Sequence, residues 1–379
     1  MTLSFRAALL LLLPLSFSCK RTEDQSALAS ALSVDAPQIR QVMKDPEAYE
    51  VQILFSQIER KGDSVIFKDD SFQVQSNQYF YPASSVKFPI ALLALEKIAN
   101  NDSINSTSRF FVEGDSVETT LRAEVSKIFA VSDNEAYNRL FEFLGKDYIN
   151  NQLEQKYIGP ARIAHRLSTD NADELRTRPL IFYLNDSTVA EWPGTTSSPV
   201  TPLEIEKVMK GKGYYDGDSL IMEPMDFSRK NYLPVQSLHN LMKRVIFPEN
   251  FPEEEAFALT PEDRDFVLNA MHAPPYTQGY DREEYYDSYV KFFMFGDRKD
   301  PIPEHIKIYN KVGYAYGYLT DCSYIRDEKN EVEFILTATI HVNEDGIYND
   351  NKYEYDEVGI PFLSELGRQL YDRIAAQQL

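Results

Sequence analysis

A long apolar stretch, FPIALLALEKIAN at positions 88–100, constrains the fold of this chain more than any other feature. A helix that is apolar on nearly every side must be buried, so the stretch predicts a central helix of the core. Ser84 and Lys87 stand immediately before it, and residues three apart share one face of a helix. An amine that can lose its proton, helped by partial burial and by the positive end of the helix, can accept a serine proton during nucleophilic attack. The pair is therefore a candidate nucleophile and base.

The same spacing of serine and lysine occurs a second time, at Ser288 and Lys291 in DSYVKFFMF. This copy stands between the acidic, tyrosine-rich run DREEYYD and a short aromatic segment that favours a strand over a helix. We interpret the second copy as coincidental. The tyrosines around it could line a substrate cleft, although aromatic packing is the more common role of such residues.

The first residues have the features of a targeting segment. Arg6 precedes the apolar run AALLLLLPL, which is too short to span a bilayer as a stable anchor, and small residues lead to Cys19. The pattern resembles a bacterial lipoprotein signal, so residues 1–19 predict an exported periplasmic or cell-surface protein held to the membrane through a lipid on Cys19. An ordinary secretory signal with a nearby cleavage site is the alternative. Residues 20–33 are expected to form a polar tether.

Charge and composition limit the classes of partner. The formal net charge is −20 and no cluster of lysine and arginine stands out, which argues against a nucleic-acid partner. The five histidines are scattered and show no metal-ligand spacing such as HExxH, so neither a metal nor another cofactor is expected.

The order of patterns along residues 34–379 predicts one domain with two lobes. Strand-like alternation near 51–74 and again near 305–342 suggests one sheet assembled from both ends of the chain, an α/β (α+β) arrangement. The sheet lobe is expected over about 34–83 and 304–379, and a helical lobe with an insertion over about 84–303. Helical patterns fall at 34–44, 119–130, 134–145, 201–211, 235–247, 260–271 and 360–376.

Two further motifs follow Ser84 and Lys87 in sequence: Ser132-Asp133-Asn134, in a loop between two helical patterns, and Lys311-Val312-Gly313, at the end of a strand. Together the three motifs resemble the signature of the serine β-lactamase and penicillin-binding peptidase superfamily, in particular its class A β-lactamase-related group. The resemblance implies a three-layer α/β/α sandwich with an antiparallel sheet and an all-helical lobe.

The resemblance also implies catalytic roles. Ser84 would attack a carbonyl carbon, and Lys87 would accept its proton. Ser132 would relay a proton to the departing nitrogen, whereas Asn134 would hold Lys87 or a substrate amide. Lys311 would favour a substrate carboxylate and help to keep Lys87 neutral. Gly313 would belong to the substrate-binding strand, and the backbone amides of Ser84 and Tyr314 would form the oxyanion hole.

Two departures from the family pattern concern the substrate and the second half of the reaction. Val312 stands where the family carries threonine or serine, so a hydroxyl that usually helps to bind the substrate carboxylate is absent. No ExxLN-like motif supplies the glutamate that activates water in class A β-lactamases. Asp170, Asp173 or Glu174 could replace this base, or their segment could be a solvated acidic loop.

These patterns predict an active-site serine hydrolase that acts through an acyl-enzyme on an amide bond of a small molecule or a peptidoglycan-derived substrate. One alternative is a D-alanyl-D-alanine-type peptidase that acts on peptidoglycan stem peptides. A second alternative, of a different class, is a non-catalytic protein that binds cell-wall fragments on the same fold.

Overall fold

The computed structural model describes residues 26–62 and 64–377. The predicted signal segment with Cys19 lies outside the described residues. Among the helices that are described, none is both long and apolar enough to cross a membrane.

The main sheet is built from both ends of the chain, as the alternating patterns predicted. Within the described residues it has five antiparallel strands, in the spatial order β10-β11-β12-β1-β2. The strands are β1 (Gln52–Lys61), β2 (Ser64–Phe72), β10 (Ile306–Ala315), β11 (Tyr318–Asp327) and β12 (Val332–His341). The first and last parts of the chain meet where β1 pairs with β12, Gln52 opposite Thr339. Since β10 pairs on one side only, its other edge is free to face the helical lobe.

Helices cover both faces of this sheet, which makes the predicted three-layer sandwich. One face packs against α1 (Ala27–Leu32), α2 (Pro37–Met43) and α9 (Ile360–Gln377) through one apolar cluster. The other face packs against α7 (Val235–Ile246) and, through a second cluster, against the helical lobe. The lobe contains α3 (Lys87–Ile98), α4 (Leu121–Val131), α5 (Asn134–Leu144), α6 (Lys146–Gln155) and α8 (Pro261–His272).

The predicted tether over 20–33 needs a correction, because residues 27–32 form helix α1. Ser26 caps this helix by accepting a hydrogen bond from the amide of Ala29, and Leu28 packs with α9 in the core. Arg373 of α9 donates to the carbonyl of Ser30. A segment that buries apolar side chains and pairs its backbone with another helix belongs to the folded domain.

The lobe also contains short strands that the sequence patterns did not predict. They are β3 (Phe110–Val112), β4 (Leu180–Asn185), β5 (Thr188–Trp192), β6 (Met209–Lys210), β7 (Gly213–Asp216), β8 (Ser219–Ile221) and β9 (Met225–Asp226); β13 (Ile347–Tyr348) pairs with β7.

The helix predicted at 201–211 is wrong. The amide of Leu203 donates to Ser228 O, and the amide of Glu206 donates to Asn77 O. Backbone groups that bond to remote segments in this way cannot bond to each other within a helix. The short aromatic segment after Ser288, expected to favour a strand, is not one: residues 287–290 and 293–297 form turns, and residues 291 and 292 lie in neither a helix nor a strand.

Candidate active site

Ser84 and Lys87 lie where the apolar helix begins. Ser84 belongs to a 3-10 turn, Ala83–Val86, and is partly exposed, whereas Lys87 is the first residue of α3. Ten of the twelve residues of α3 are buried, so the helix is the central helix that its composition predicted. Burial of the Lys87 ammonium lowers its pKa to about 7. A lysine with that pKa is partly neutral at neutral pH, as a proton acceptor must be.

The second motif forms the sharp corner between α4 and α5. Ser132 ends α4 in the left-handed conformation, with φ of 57°, and Asp133 begins α5 by accepting a hydrogen bond from the amide of Ala136. Because the C-cap of α4 and the N-cap of α5 are consecutive residues, the chain turns abruptly between the two helices. The corner directs Ser132 and the first residue of α5, Asn134, toward Lys87.

Hydrogen bonds join all three motifs at Ser132. Lys87 Nζ donates to the backbone oxygen of Ser132 and to Asn134 Oδ1, the latter at 2.6 Å. From the opposite side, Lys311 Nζ donates to Ser132 Oγ and to Val312 O, each at 2.8 Å. A neutral amine has two N–H groups and one lone pair. With these two N–H groups bonded to oxygen, and Ser132 Oγ a more distant neighbour at 3.4 Å, a neutral Lys87 would have a lone pair with which to accept a proton, and Ser84 lies one helical turn away.

The two lysines depress each other's affinity for protons. Lys311 is 2% exposed, and burial, with Lys87 nearby as the second cause, holds the pKa of Lys311 well below its ordinary value. Asp321 opposes this shift from beneath the strand. Like charges held this close in a buried site disfavour double protonation. The network is therefore most stable when at least one of the two amines is neutral.

Gly313 allows β10 to approach the turn that carries Ser84. A Cβ added at position 313 would lie 2.5 Å from Pro82 O, 2.6 Å from Ser85 N and 2.9 Å from Ser84 N. All three are backbone atoms, which cannot move aside as a flexible side chain can. The glycine thus brings the backbone of residues 313 and 314 against the Ser84 turn, where the sequence predicted an oxyanion hole between the amides of Ser84 and Tyr314.

A cleft of about 580 Å³ opens at these motifs. Four residues of the predicted site line it: Ser84, Ser132, Asn134 and Tyr314. The other residues that line it are Val131, Tyr286, Ser288, Tyr289, Val290, Phe292, Gly296, Leu319, Tyr355, Asp356 and Ile360. A larger hollow of about 880 Å³ lies at the strand ends around Arg60 and Glu333, and it contains none of the motif residues. The chemistry therefore assigns the smaller cleft as the candidate active site.

The structure does not bring the three predicted bases to the cleft. Asp170, Asp173 and Glu174 are exposed, and none of them lines it. The residue of this loop that does reach the network is Ser168, whose hydroxyl accepts a hydrogen bond of 3.0 Å from Asn134 Nδ2. The sequence of the loop does not indicate that Ser168, rather than one of its acidic neighbours, contacts Asn134, because this depends on the path of the loop.

The side chain of Val312 also lies away from the cleft. It is 1% exposed and packs in the apolar cluster beneath α9. On a strand, neighbouring side chains point to opposite faces, so Val312 points away from the side on which Lys311 meets Ser132. The side chain at position 312 therefore does not contact a substrate in this cleft.

The second serine–lysine copy does not form a catalytic pair. Ser288 lines the cleft, but its hydroxyl donates to Arg298 O at 2.6 Å. Lys291 is buried and donates to Met271 O, Ile308 O and Asn310 Oδ1. The hydroxyl of Ser288 and the ammonium of Lys291 are thus hydrogen-bonded to other residues and not to each other. Of the cleft residues, Tyr355 and Asp356 were not predicted, because only tertiary folding brings the start of α9 beside Ser84.

The fold and the three converged motifs define an active-site serine hydrolase of the β-lactamase type. The chain belongs to the beta-lactamase enzyme family, whose model matches residues 36–374. Nothing among curated proteins matches the sequence. Within the described residues, no group of three or more histidine, cysteine, aspartate or glutamate side chains could hold a metal ion.

Solved structures agree in fold. A β-lactamase from Desulfarculus baarsii DSM 2075 is 13% identical, with a TM-score of 0.52 over 92% of this chain and 98% of that one. A β-lactamase from Sphaerobacter thermophilus DSM 20745 is 14% identical, with a TM-score of 0.50 over 91% and 96%. At such low identity these structures support the three-layer fold alone. The family match and the site chemistry carry the assignment as a hydrolase.

Proposed function

We propose that Ser84 is the nucleophile of this hydrolase and that its acyl-enzyme is hydrolysed slowly. In the first step Ser84 Oγ bonds to the carbonyl carbon of an amide or β-lactam while its proton passes to Lys87 Nζ. The carbon–nitrogen bond then breaks, and the leaving nitrogen takes a proton through Ser132. Water finally cleaves the acyl ester, which releases the acid and returns the proton to Ser84.

One observation supports this assignment above the others: the two N–H groups of a neutral Lys87 are used by Ser132 and Asn134. A pure binding protein has no need to hold a buried amine of low pKa one helical turn from a serine. The pKa of Lys87, lowered to about 7 by burial, suits a general base that works near neutrality.

The slow second step is inferred from the loop that follows Leu167. Its carboxylates are exposed and outside the cleft, and the group beside Asn134 is the neutral hydroxyl of Ser168. A hydroxyl does not activate water as a carboxylate does, so this loop places no strong base at the ester. A long-lived adduct of this kind is the behaviour of a penicillin-binding peptidase rather than of an efficient β-lactamase.

Intact-mass measurement after treatment with a fluorescent penicillin, and separately with a neutral fluorophosphonate, tests the nucleophile. We expect one adduct per chain, lost in Ser84→Ala and kept in Ser288→Ala. Ser288 is the matched control because it also lines the cleft but has no lysine available as a base. Failure of both probes to label the protein, or labelling that survives Ser84→Ala, would contradict the assignment.

The lifetime of the penicillin adduct tests the second step. We expect an adduct that persists for many minutes, with no measurable hydrolysis of a chromogenic cephalosporin, and the same lifetime in Asp170→Asn and Glu174→Gln. Ser168→Glu, which brings a carboxylate beside Asn134, should shorten the lifetime by tenfold or more, about the effect of one positioned base. Rapid turnover by the unmodified protein, abolished in Glu174→Gln, would refute the proposal.

The proposal includes export and a lipid anchor, which rest on the sequence of residues 1–19 alone. Labelling of cells with radioactive palmitate tests the anchor, and we expect incorporation that is lost in Cys19→Ser. Incorporation that is absent from the unmodified protein would leave the ordinary secretory signal as the correct interpretation.

A further inference from the structure

The charge of the cleft is unusual for a site expected to bind a carboxylate. Of the described residues that line it, Asp356 alone carries a formal charge. This aspartate is exposed and lies in a single π-turn, Tyr355–Gly359, directly before α9. Turns of this kind are frequent at functional sites. No salt bridge to Asp356 is formed by any residue that the structure describes.

Aromatic rings line the same cleft as this carboxylate. Tyr314 lies between Tyr355, at 5.6 Å, and Phe292, at 6.3 Å between ring centroids. Across from them, Tyr286 and Tyr289 are 5.9 Å apart and half-buried. Burial, and after it the negative charge of Asp356, raises the pKa of Tyr286. This shift agrees with a carboxylate close to that phenol.

None of the described residues that line the cleft offers an exposed cation to a substrate carboxylate. Lys311 is 2% exposed, and its ammonium donates to Ser132 and to the backbone. Position 312 offers a buried valine. No arginine is among the described lining residues. The anionic group that the family pattern favours therefore has neither a hydroxyl at position 312 nor a guanidinium to bind it.

We propose that the cleft selects substrates with a cationic group, a primary or quaternary ammonium, beside the amide that Ser84 attacks. Aromatic faces together with one carboxylate are the groups that bind such cations. Exposed Lys299 already places its Nζ 5.0 Å above the ring of Tyr286, which indicates that this ring accepts a positive charge. The inference rests on the proposed role of Ser84 and adds the class of substrate to it.

Three fluorophosphonates of equal length test this inference, one with a trimethylammonium tail, one with a neutral tail and one with a carboxylate tail. We expect the cationic probe to label Ser84 about tenfold faster than the neutral probe, since one partly exposed ion pair and one cation–π contact are combined. The carboxylate probe should be the slowest. The preference should weaken as salt is added, because the carboxylate is exposed.

Asp356→Asn should reduce the ratio of the cationic to the neutral labelling rate to nearly one. Glu357→Gln is the matched control, because it removes the same charge from the neighbouring exposed residue, which does not line the cleft. Lys299→Ala should increase the preference by removing a competing cation.

The outcomes for the site and for its specificity are separable. Failure of the neutral probe to label Ser84 would refute the proposed nucleophile. Equal labelling of Ser84 by all three probes, or faster labelling by the carboxylate probe, would overturn the substrate class alone. Because the probe series uses the unmodified protein, it decides the question even if Asp356→Asn fails to fold.

Discussion

Substitution of Gly313 by alanine tests whether close approach of β10 to the Ser84 turn is what assembles the site. The added Cβ would lie 2.5 Å from Pro82 O, whereas ordinary contact begins near 3.4 Å. Strand and turn would therefore have to separate by the order of 1 Å to relieve the overlap. A displacement of about 1 Å between reacting groups can cost about 100-fold in rate, or about 2.7 kcal/mol of activation free energy. We expect acylation of Ser84 to fall by that factor.

The assay is the second-order rate of labelling by the neutral fluorophosphonate, with the unfolding temperature measured beside it. Overpacking at one site should destabilise the protein by only about 1 to 3 kcal/mol, so the variant should fold. Gly159→Ala is the control, since nothing lies within 4 Å of a Cβ added there. A labelling rate for Gly313→Ala within about twofold of the unmodified protein would refute the reasoning, because measured effects vary by such factors.

Three other outcomes follow from the buried groups. Acylation should rise with pH through about 7 as Lys87 loses its proton, and a rate that is flat across this range would contradict its role as the base. Val312→Thr should leave penicillin acylation unchanged, because its side chain points away from the cleft; a faster reaction would show that the hydroxyl reaches substrate. Asp321→Asn should lower the free energy of unfolding by roughly 1 to 3 kcal/mol in urea titrations, because the amide cannot accept all the hydrogen bonds that the buried carboxylate accepts from Asn310, Ser323 and the backbone of Phe292. An unchanged midpoint would remove that network from the account.

The sequence was most informative where local pattern and tertiary environment agree. The stretch at 88–100 is apolar on nearly all sides, and only a buried helix satisfies that pattern. The strands at both ends of the chain alternate or run apolar, as strands with one or both faces buried do, and this pattern predicted the sheet that they form together. Ser84, Lys87, Ser132 and Lys311 could be predicted as one site because their three motifs, in this order along the chain, resemble the signature of the serine β-lactamase superfamily.

Prediction failed where remote partners decide the backbone conformation. The segment 201–211 has helical spacing, but its amides bond to residues 77 and 228, which no local pattern encodes. Asp356 could not be predicted as a cleft residue for a related reason. Its position depends on the π-turn before α9 and on the packing of α9 against the sheet. Loop residues such as Ser168 depend in the same way on the path of the chain.

The paired lysines give the reaction a direction that neither lysine would supply alone. If Lys87 accepts the proton of Ser84 as proposed, it gains charge in a buried site, and that charge further lowers the proton affinity of the buried Lys311. Ser132 is the group between them, since its hydroxyl accepts a hydrogen bond from Lys311 at 2.8 Å and lies 3.4 Å from Lys87 Nζ. The proton that Lys87 gains in this mechanism would therefore pass through the hydroxyl of Ser132 to the leaving nitrogen. Burial of these amines destabilises the protonated site and so drives the proton forward once the carbon–nitrogen bond begins to break.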